Sequence, residues 1–423
     1  MAVALLDSLL DGVRAEPAAR SAAVAALRRD GLPGTRDEAW KYTALRALEQ
    51  RRFVDGDAGA AGRKVDAATY ALPGIDGPRL VFVNGVFRAD LSDRRDIEGL
   101  TLLPLSTEPA QLASLLAGDD GGRADAFVRL NTALVADGAL VRVASDVRID
   151  APLHLVFIGA TAEADLAWQA RLRVELGEGA ALTLVEHHAG AGAQAHLGNL
   201  VADYVLAAGA RLDLLQLQDA GPDSTLVRRD AFRLERAAGV TAHALELGAR
   251  LARHDFRVAL AGPEARLVSR GTFALTGRQH ADTRLDVRHL ARDTASDIAW
   301  RGAADQRARG VFHGAITIEA GADGADAQLS NRNLLLSAQA EIDTQPVLVI
   351  HADEVTAAHG ATVGQLDEQA LFYLRTRGIP REAARRLLVS AFCGAMLEGI
   401  GRDALRAHLL RLLALRLPLV EDA

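Results

Sequence analysis

The residues best suited to chemistry in this 423-residue chain are its twelve histidines, and one of them stands apart. His359 lies beside Gly360 in Glu354-Val355-Thr356-Ala357-Ala358-His359-Gly360-Ala361-Thr362-Val363-Gly364, just before Leu371-Phe372-Tyr373-Leu374-Arg375-Thr376-Arg377-Gly378-Ile379-Pro380. A strand-rich region gives way to helices here, and an imidazole held on rigid backbone can ligate a metal or carry a proton. A second series, His280-Ala281-Asp282 with His289 and then His313, puts His280 and Asp282 two apart, on one face of a strand. As a metal site, His280, Asp282 and His289 would make a self-standing metalloenzyme. Glu186, His187, His188 and His196 form a third grouping near a turn. None has the tight spacing of a helical zinc motif or a completed three-ligand signature, so a structural or solvated role is the preferred reading of each. The chain lacks a Gly-x-Ser-x-Gly elbow and a Gly-x-x-x-x-Gly-Lys-[Ser/Thr] loop, which leaves hydrolase chemistry without support and rules out a P-loop ATPase.

Composition narrows the classes further. The net charge is −7 with both signs interspersed, which speaks against nucleic-acid binding. All but two of the 48 basic residues are arginine, the exceptions being Lys41 and Lys64, a bias expected of a GC-rich genome. Cys393 is the only cysteine, so neither an intramolecular disulfide nor an all-cysteine metal cage is available. It sits among Val389, Ala391, Phe392 and Met396 and reads as a buried thiol. The N-terminus has no cationic start and is interrupted by Asp7 and Asp11; no segment is apolar enough to span a membrane, and a cytoplasmic protein is expected.

The elements that must position these groups follow from periodicity. Leu5, Leu6, Leu9, Leu10 and Val13 have helical spacing, with Ser21 as a cap for Val24 and Leu27 and a stop at Gly31-Leu32-Pro33-Gly34. Trp40 and Tyr42, in Asp37-Glu38-Ala39-Trp40-Lys41-Tyr42-Thr43, read as anchors of this region onto its neighbour. A strand is expected over Leu80–Phe87 and a helix near Leu112–Leu116, and Asp119-Asp120-Gly121-Gly122 marks a loop. From about Asn131 the period changes to two, as at Val141, Val143, Val147 and Ile149. Gly179, Gly209 and Gly239 then recur 30 residues apart in matching settings, with a looser copy at Gly262. A fixed period of strands without helices signals a β-solenoid whose corners use glycine where φ turns positive. The tail reads as three amphipathic helices, the first capped by Asp367, then Arg381 to about Gly399 and Asp403 to about Leu417. They cannot bury their apolar faces alone and must dock on the solenoid or on a partner. Residues 1–125 form an N-terminal mixed region, 126–360 the β-helix core and 361–423 a C-terminal helical domain.

Several of these words together are specific. The Asp37–Thr43 stretch, Leu130-Asn131-Thr132-Ala133 with Asp137-Gly138, Leu182-Thr183-Leu184-Val185-Glu186, Ser330-Asn331-Arg332-Asn333-Leu334-Leu335-Leu336-Ser337 and the run from His359 to Pro380 resemble the SufB/SufD family of iron–sulfur cluster assembly proteins, over nearly the whole length and in its SufD branch. The resemblance implies a right-handed parallel β-helix flanked by N- and C-terminal helical regions. It implies a non-catalytic scaffold subunit that pairs with SufB through outer strands and receives the SufC ATPase on its C-terminal helices. ATP-driven approach of the SufC subunits would strain that pairing. Leu371, Phe372, Tyr373, Arg377, Leu388 and Phe392 are then the expected SufC-facing residues. His359 maps onto the family's functional histidine, an iron or cluster ligand near SufB. Many relatives carry cysteine two positions before it; here Ala357 stands there, so no thiolate is contributed on that strand face. No tightly bound cofactor is expected; a transient iron–sulfur cluster shared with SufB, and reduced flavin in the complex, are implied. A SufD-type homodimer with a structural role is the alternative assembly.

Overall fold

The computed structural model describes residues 3–11, 13, 18–55, 64–117 and 125–417. Its body is a parallel β-solenoid of about eight turns. The expected loop at Asp119–Gly122 lies outside the described residues. Strands alternate between two sheets, so each coil contributes one strand to each. Apolar residues at every second position, such as Leu172, Leu200, Leu214 and Phe232, fill the space between the sheets. Stacking is in strict register: Ala181, Arg211, Gly239, Arg266, Ala295, Asp326 and Thr356 stand in one column. Successive coils therefore advance by 30, 28, 27, 29, 31 and 30 residues rather than by a constant 30.

This register corrects the reading of the glycine repeat. The corner with positive φ lies two residues before the column and is occupied by Gly179, Gly209, Ala237, Glu264, Asp293 and Gly324. Gly239 is the first residue of strand Gly239–Glu246, and Ala237 takes the left-handed position at φ 54°. The third match in the 30-residue spacing is thus a coincidence of a shorter coil. Two further expectations shift. Asn131 lies in helix Ala126–Leu134, and the strands begin at Gly138. Ser21 is inside helix Ala18–Asp30 and does not cap it.

The helical parts cover opposite outer faces. Leu5, Leu9, Leu27 and Phe127 pack with Ala167, Leu197, Val227 and Leu251 on one sheet. Trp40 anchors this layer as its sequence suggested: it stacks on Phe127 at 5.2 Å, with the Arg253 guanidinium 4.0 Å from its ring centre. Arg253 in turn pairs with buried Asp282 at 2.6 Å, and the Thr43 hydroxyl donates to the same carboxylate. On the other sheet, helices Arg381–Gly394 and Asp403–Arg416 set Val389, Cys393, Leu405, Leu409 and Leu413 against Val185, Leu215, Leu245 and Ala274. Each fully buried leucine contributes about 1.5–3 kcal/mol, so the docking is strong. Cys393 is buried, and burial pushes its thiol up to about 11, which makes it inert. No helix among the described residues is long and apolar enough to cross a membrane.

Candidate functional site

The two ends of the solenoid differ. At the start, the antiparallel strand Leu100–Pro104 covers Gly138–Val143, and Val86–Phe87 folds back on Arg79–Val83. Asp137 seals the joint: its carboxylate accepts from the amides of Phe87 at 2.8 Å, Ser106 at 3.0 Å and Gly138 at 2.8 Å. Gly138 must be glycine because a Cβ there would stand 1.8 Å from the Arg171 carbonyl oxygen. Asn131 reaches the carbonyls of Ala170 and Asn199. The Asn131 and Asp137-Gly138 words are therefore parts of a plug.

At the finish, Glu341–Ile350 and Thr356–Gly364 are the outermost strands of their sheets. Pro346, which has no amide hydrogen to donate, is tolerated in such an edge strand. The register sets Ala357 over Ala327, His359 over Leu329, Ala361 over Asn331 and Val363 over Asn333. Ala327, Leu329, Asn331 and Asn333 are buried in the interior. His359 continues that inward column where no coil lies above it, and so it is exposed. Below it, the Thr344 hydroxyl and the Asn333 amide donate to Asn331 Oδ1 at 2.8 and 2.5 Å, and Asn333 also donates to the Thr362 carbonyl at 3.2 Å. Asn331 itself donates to the Trp300 carbonyl at 3.3 Å. The Ser330–Asn333 word thus supplies the polar floor of the open end.

The other histidine groupings dissolve. His280 and Asp282 share the outer face, but Asp282 is committed to Arg253 and Thr43, and His289 points inward to Thr294 and Ser296 at 2.9 Å each. His196 is held between the Leu166 amide and the Ala160 carbonyl. Among the described residues no three His, Cys, Asp or Glu side chains converge to hold a metal.

Glu186 and His188 belong to a buried ionic network that sequence reasoning missed. Arg228 pairs with Glu186 at 2.5 Å and Asp230 at 2.8 Å and contacts His188 at 2.7 Å. Asp230 then meets His254 at 2.9 Å, and Thr283 donates to Glu246 at 2.8 Å. Burial by itself would lower the His254 pKa, but hydrogen bonds to Asp230 and Glu246 prevail and raise it to about 9. Every member has a partner inside the chain, so the network acts as a polar core.

In the tail, Asp367 caps helix Glu368–Thr376 through the amides of Gln369 and Ala370. Leu371 is buried within the chain, whereas Phe372 and Tyr373 are 67% and 57% exposed. Arg377 lies over the Tyr373 ring and donates to its hydroxyl at 3.0 Å. Leu388 is half-buried, and Phe392 packs beneath Arg301, which donates to its carbonyl at 2.6 Å. Leu387 and Leu415 are likewise 53% and 74% exposed.

Comparison with known proteins agrees with this architecture. Residues 14–155 match the SufBD protein N-terminal region, and residues 157–392 match the SufBD core domain of the SUF system for FeS cluster assembly. The chain is 30% identical to the iron–sulfur cluster assembly protein SufD of Escherichia coli, across 93% of this chain and 91% of that protein. It is 31% identical to an iron–sulfur cluster assembly SufBD family protein of Synechocystis, across 89% and 86% respectively. Both matches run through the plug, the solenoid and the tail, and the chain is a SufD-like member of the SufBD family of iron–sulfur cluster assembly proteins.

Proposed function

We propose that this chain is a scaffold subunit of a SufBCD-type assembly, without turnover of its own. Edge strands Glu341–Ile350 and Thr356–Gly364 pair with a SufB-type partner, and the helices of residues 361–423 receive a SufC-type ATPase. The observation that carries the reading is the position of His359, exposed on an edge strand with a neighbour on one side only, where the other three inward residues are Ala357, Ala361 and Val363. One imidazole is one ligand, so an iron or cluster held there as substrate takes its remaining ligands from a second chain. Ala357, on the same face, offers no sulfur. The exposed rings of Phe372 and Tyr373, stiffened by Arg377, together with Leu387, form the apolar part of the ATPase-facing surface.

The test is co-expression with the SufB and SufC of the same genome, followed by the mass of the purified assembly and its iron and sulfide content. A three-component assembly is expected, and His359→Ala should preserve its mass while lowering the cluster content. Loss of the assembly in that variant would make His359 an interface residue. A chain that pairs only with itself would replace the scaffold reading by the homodimer.

A further inference from the structure

Strands Glu341–Ile350 and Thr356–Gly364 both stand at the open end, yet only the first is tied down from outside. The tie is the segment from Trp40 to Thr43, which leaves the short helix Glu38–Trp40 and crosses the outer face of the sheet. It touches one coil after another. Trp40 holds the Arg253 guanidinium 4.0 Å from its ring centre, and Arg253 also donates to the Ala39 carbonyl at 2.8 Å. Buried Thr43 donates to Asp282 on the next strand of that sheet, and His280 Nε2 lies 3.4 Å from the same hydroxyl. The hydroxyl has one proton, already given to Asp282, so His280 is the donor to it. Tyr42 meets the strand after that. Its ring centre is 5.1 Å from Lys41 Nζ and 6.0 Å from the Arg309 guanidinium, within reach of cation–π attraction.

Arg309 carries the tie to the last coil. Register sets it beside Glu341, and its guanidinium pairs with Asp343 at 2.8 Å and Glu341 at 3.2 Å. Those two carboxylates stand two residues apart on one strand face, where they repel each other unless a cation lies between them. Arg309 supplies that cation, and Tyr42 helps to fix where it sits. Thr356–Gly364 has no such support. Its side chains make no hydrogen bond or ion pair among the described residues, and a Cβ on Gly360 or Gly364 would meet nothing within 4 Å.

We propose that the Trp40–Thr43 segment is a brace that keeps the first half of edge strand Glu341–Ile350 ordered, so that pairing with a partner's strand starts there and not on Thr356–Gly364. This rests on the partner-pairing role proposed above and adds the place where pairing begins. An edge that is already ordered loses less freedom on association, which favours the encounter.

Hydrogen exchange of the full chain, read by mass spectrometry, tests the brace without any partner. Protection should be higher over Glu341–Gln345 than over Thr356–Gly360. Tyr42→Ala should lower protection over Glu341–Gln345 by about threefold, the loss of one exposed cation–π contact, and leave Thr356–Gly364 unchanged. Arg309→Gln should lower it further, because Glu341 and Asp343 then face each other without a cation, and Arg309→Lys should retain part of it. Rapid-mixing association with the SufB-type chain of the same genome should slow in the same order. Unchanged protection in both Tyr42→Ala and Arg309→Gln overturns the brace, as does a loss spread evenly over both edge strands. Lost protection with an unchanged association rate overturns its part in pairing. If even the unaltered chain fails to associate, the scaffold reading fails, and the exchange result alone decides the brace.

Discussion

At its start the solenoid is closed by antiparallel strands and by Asp137, which takes up three amide hydrogens. At its finish Glu341–Ile350 and Thr356–Gly364 each have a strand neighbour on one side only, and Val349, Ile350 and Val363 are exposed. Proteins normally blunt such edges, because an open ladder pairs with any strand that reaches it. Under the proposed scaffold role, the blunted end is closed to partners and the bare end is the one that receives them. The inward face of the coils accordingly changes meaning along the axis. In the middle a polar residue must be satisfied by its own chain, as Arg228 is; at the open end His359 is left to be satisfied from outside.

That contrast predicts a gradient in stability for inward-facing polar groups. Arg228→Met, in the sealed middle, strands Glu186 and Asp230 and should cost about 3–5 kcal/mol in chemical denaturation. Asp137→Ala, at the closed start, leaves the amides of Phe87 and Ser106 unpaired and should cost about 3 kcal/mol by the same measurement. The network should also give a signature in pH. The folded pKa of His254, raised to about 9, exceeds the unfolded value near 6.5, so its contribution is full below pH 6.5 and fades as pH rises through 9. Thermal melts should therefore show an alkaline loss of stability that His254→Gln removes. Acid acts oppositely on His154, lowered to about 3, and on His187, lowered to about 4, both mainly by burial. Their contribution is present above pH 6.5 and is lost as pH falls through those values. His359→Ala should change the stability of the isolated chain by less than about 0.5 kcal/mol, as expected for an exposed position. A large loss there would show that the open end is not open.

The solenoid was legible in the sequence because alternation and the corners at Gly179 and Gly209 are local signals. The corner at Ala237 was not, since stacked coils impose its positive φ whatever the residue, and a search for glycine settles on Gly239 instead. Asn131 misled for a related reason: an Asn-Thr-Ala triplet carries weak propensity, and the helix is decided by Asp125, which caps it through the amides of Phe127 and Val128. The ionic network could not be read at all. Glu186, Arg228, Asp230 and His254 violate the apolar-in rule individually, and only the register of neighbouring coils brings them together. His359 was recognisable by its place at the strand–helix border. Its exposure was not, because that depends on no further coil following. Among the tail residues, helical spacing alone could not tell Leu371, buried in its own chain, from the adjoining Phe372.

The single-sided neighbour of the last coil also sets its dynamics. In a stacked array each coil is held by the interfaces above and below it, and the terminal coil has half of that support. Amide hydrogens of residues 341–364 should therefore exchange with solvent sooner than those two coils inward, by local fraying rather than global unfolding. A partner strand laid on this edge would supply the missing interface, so association and the tightening of the final rung become one event.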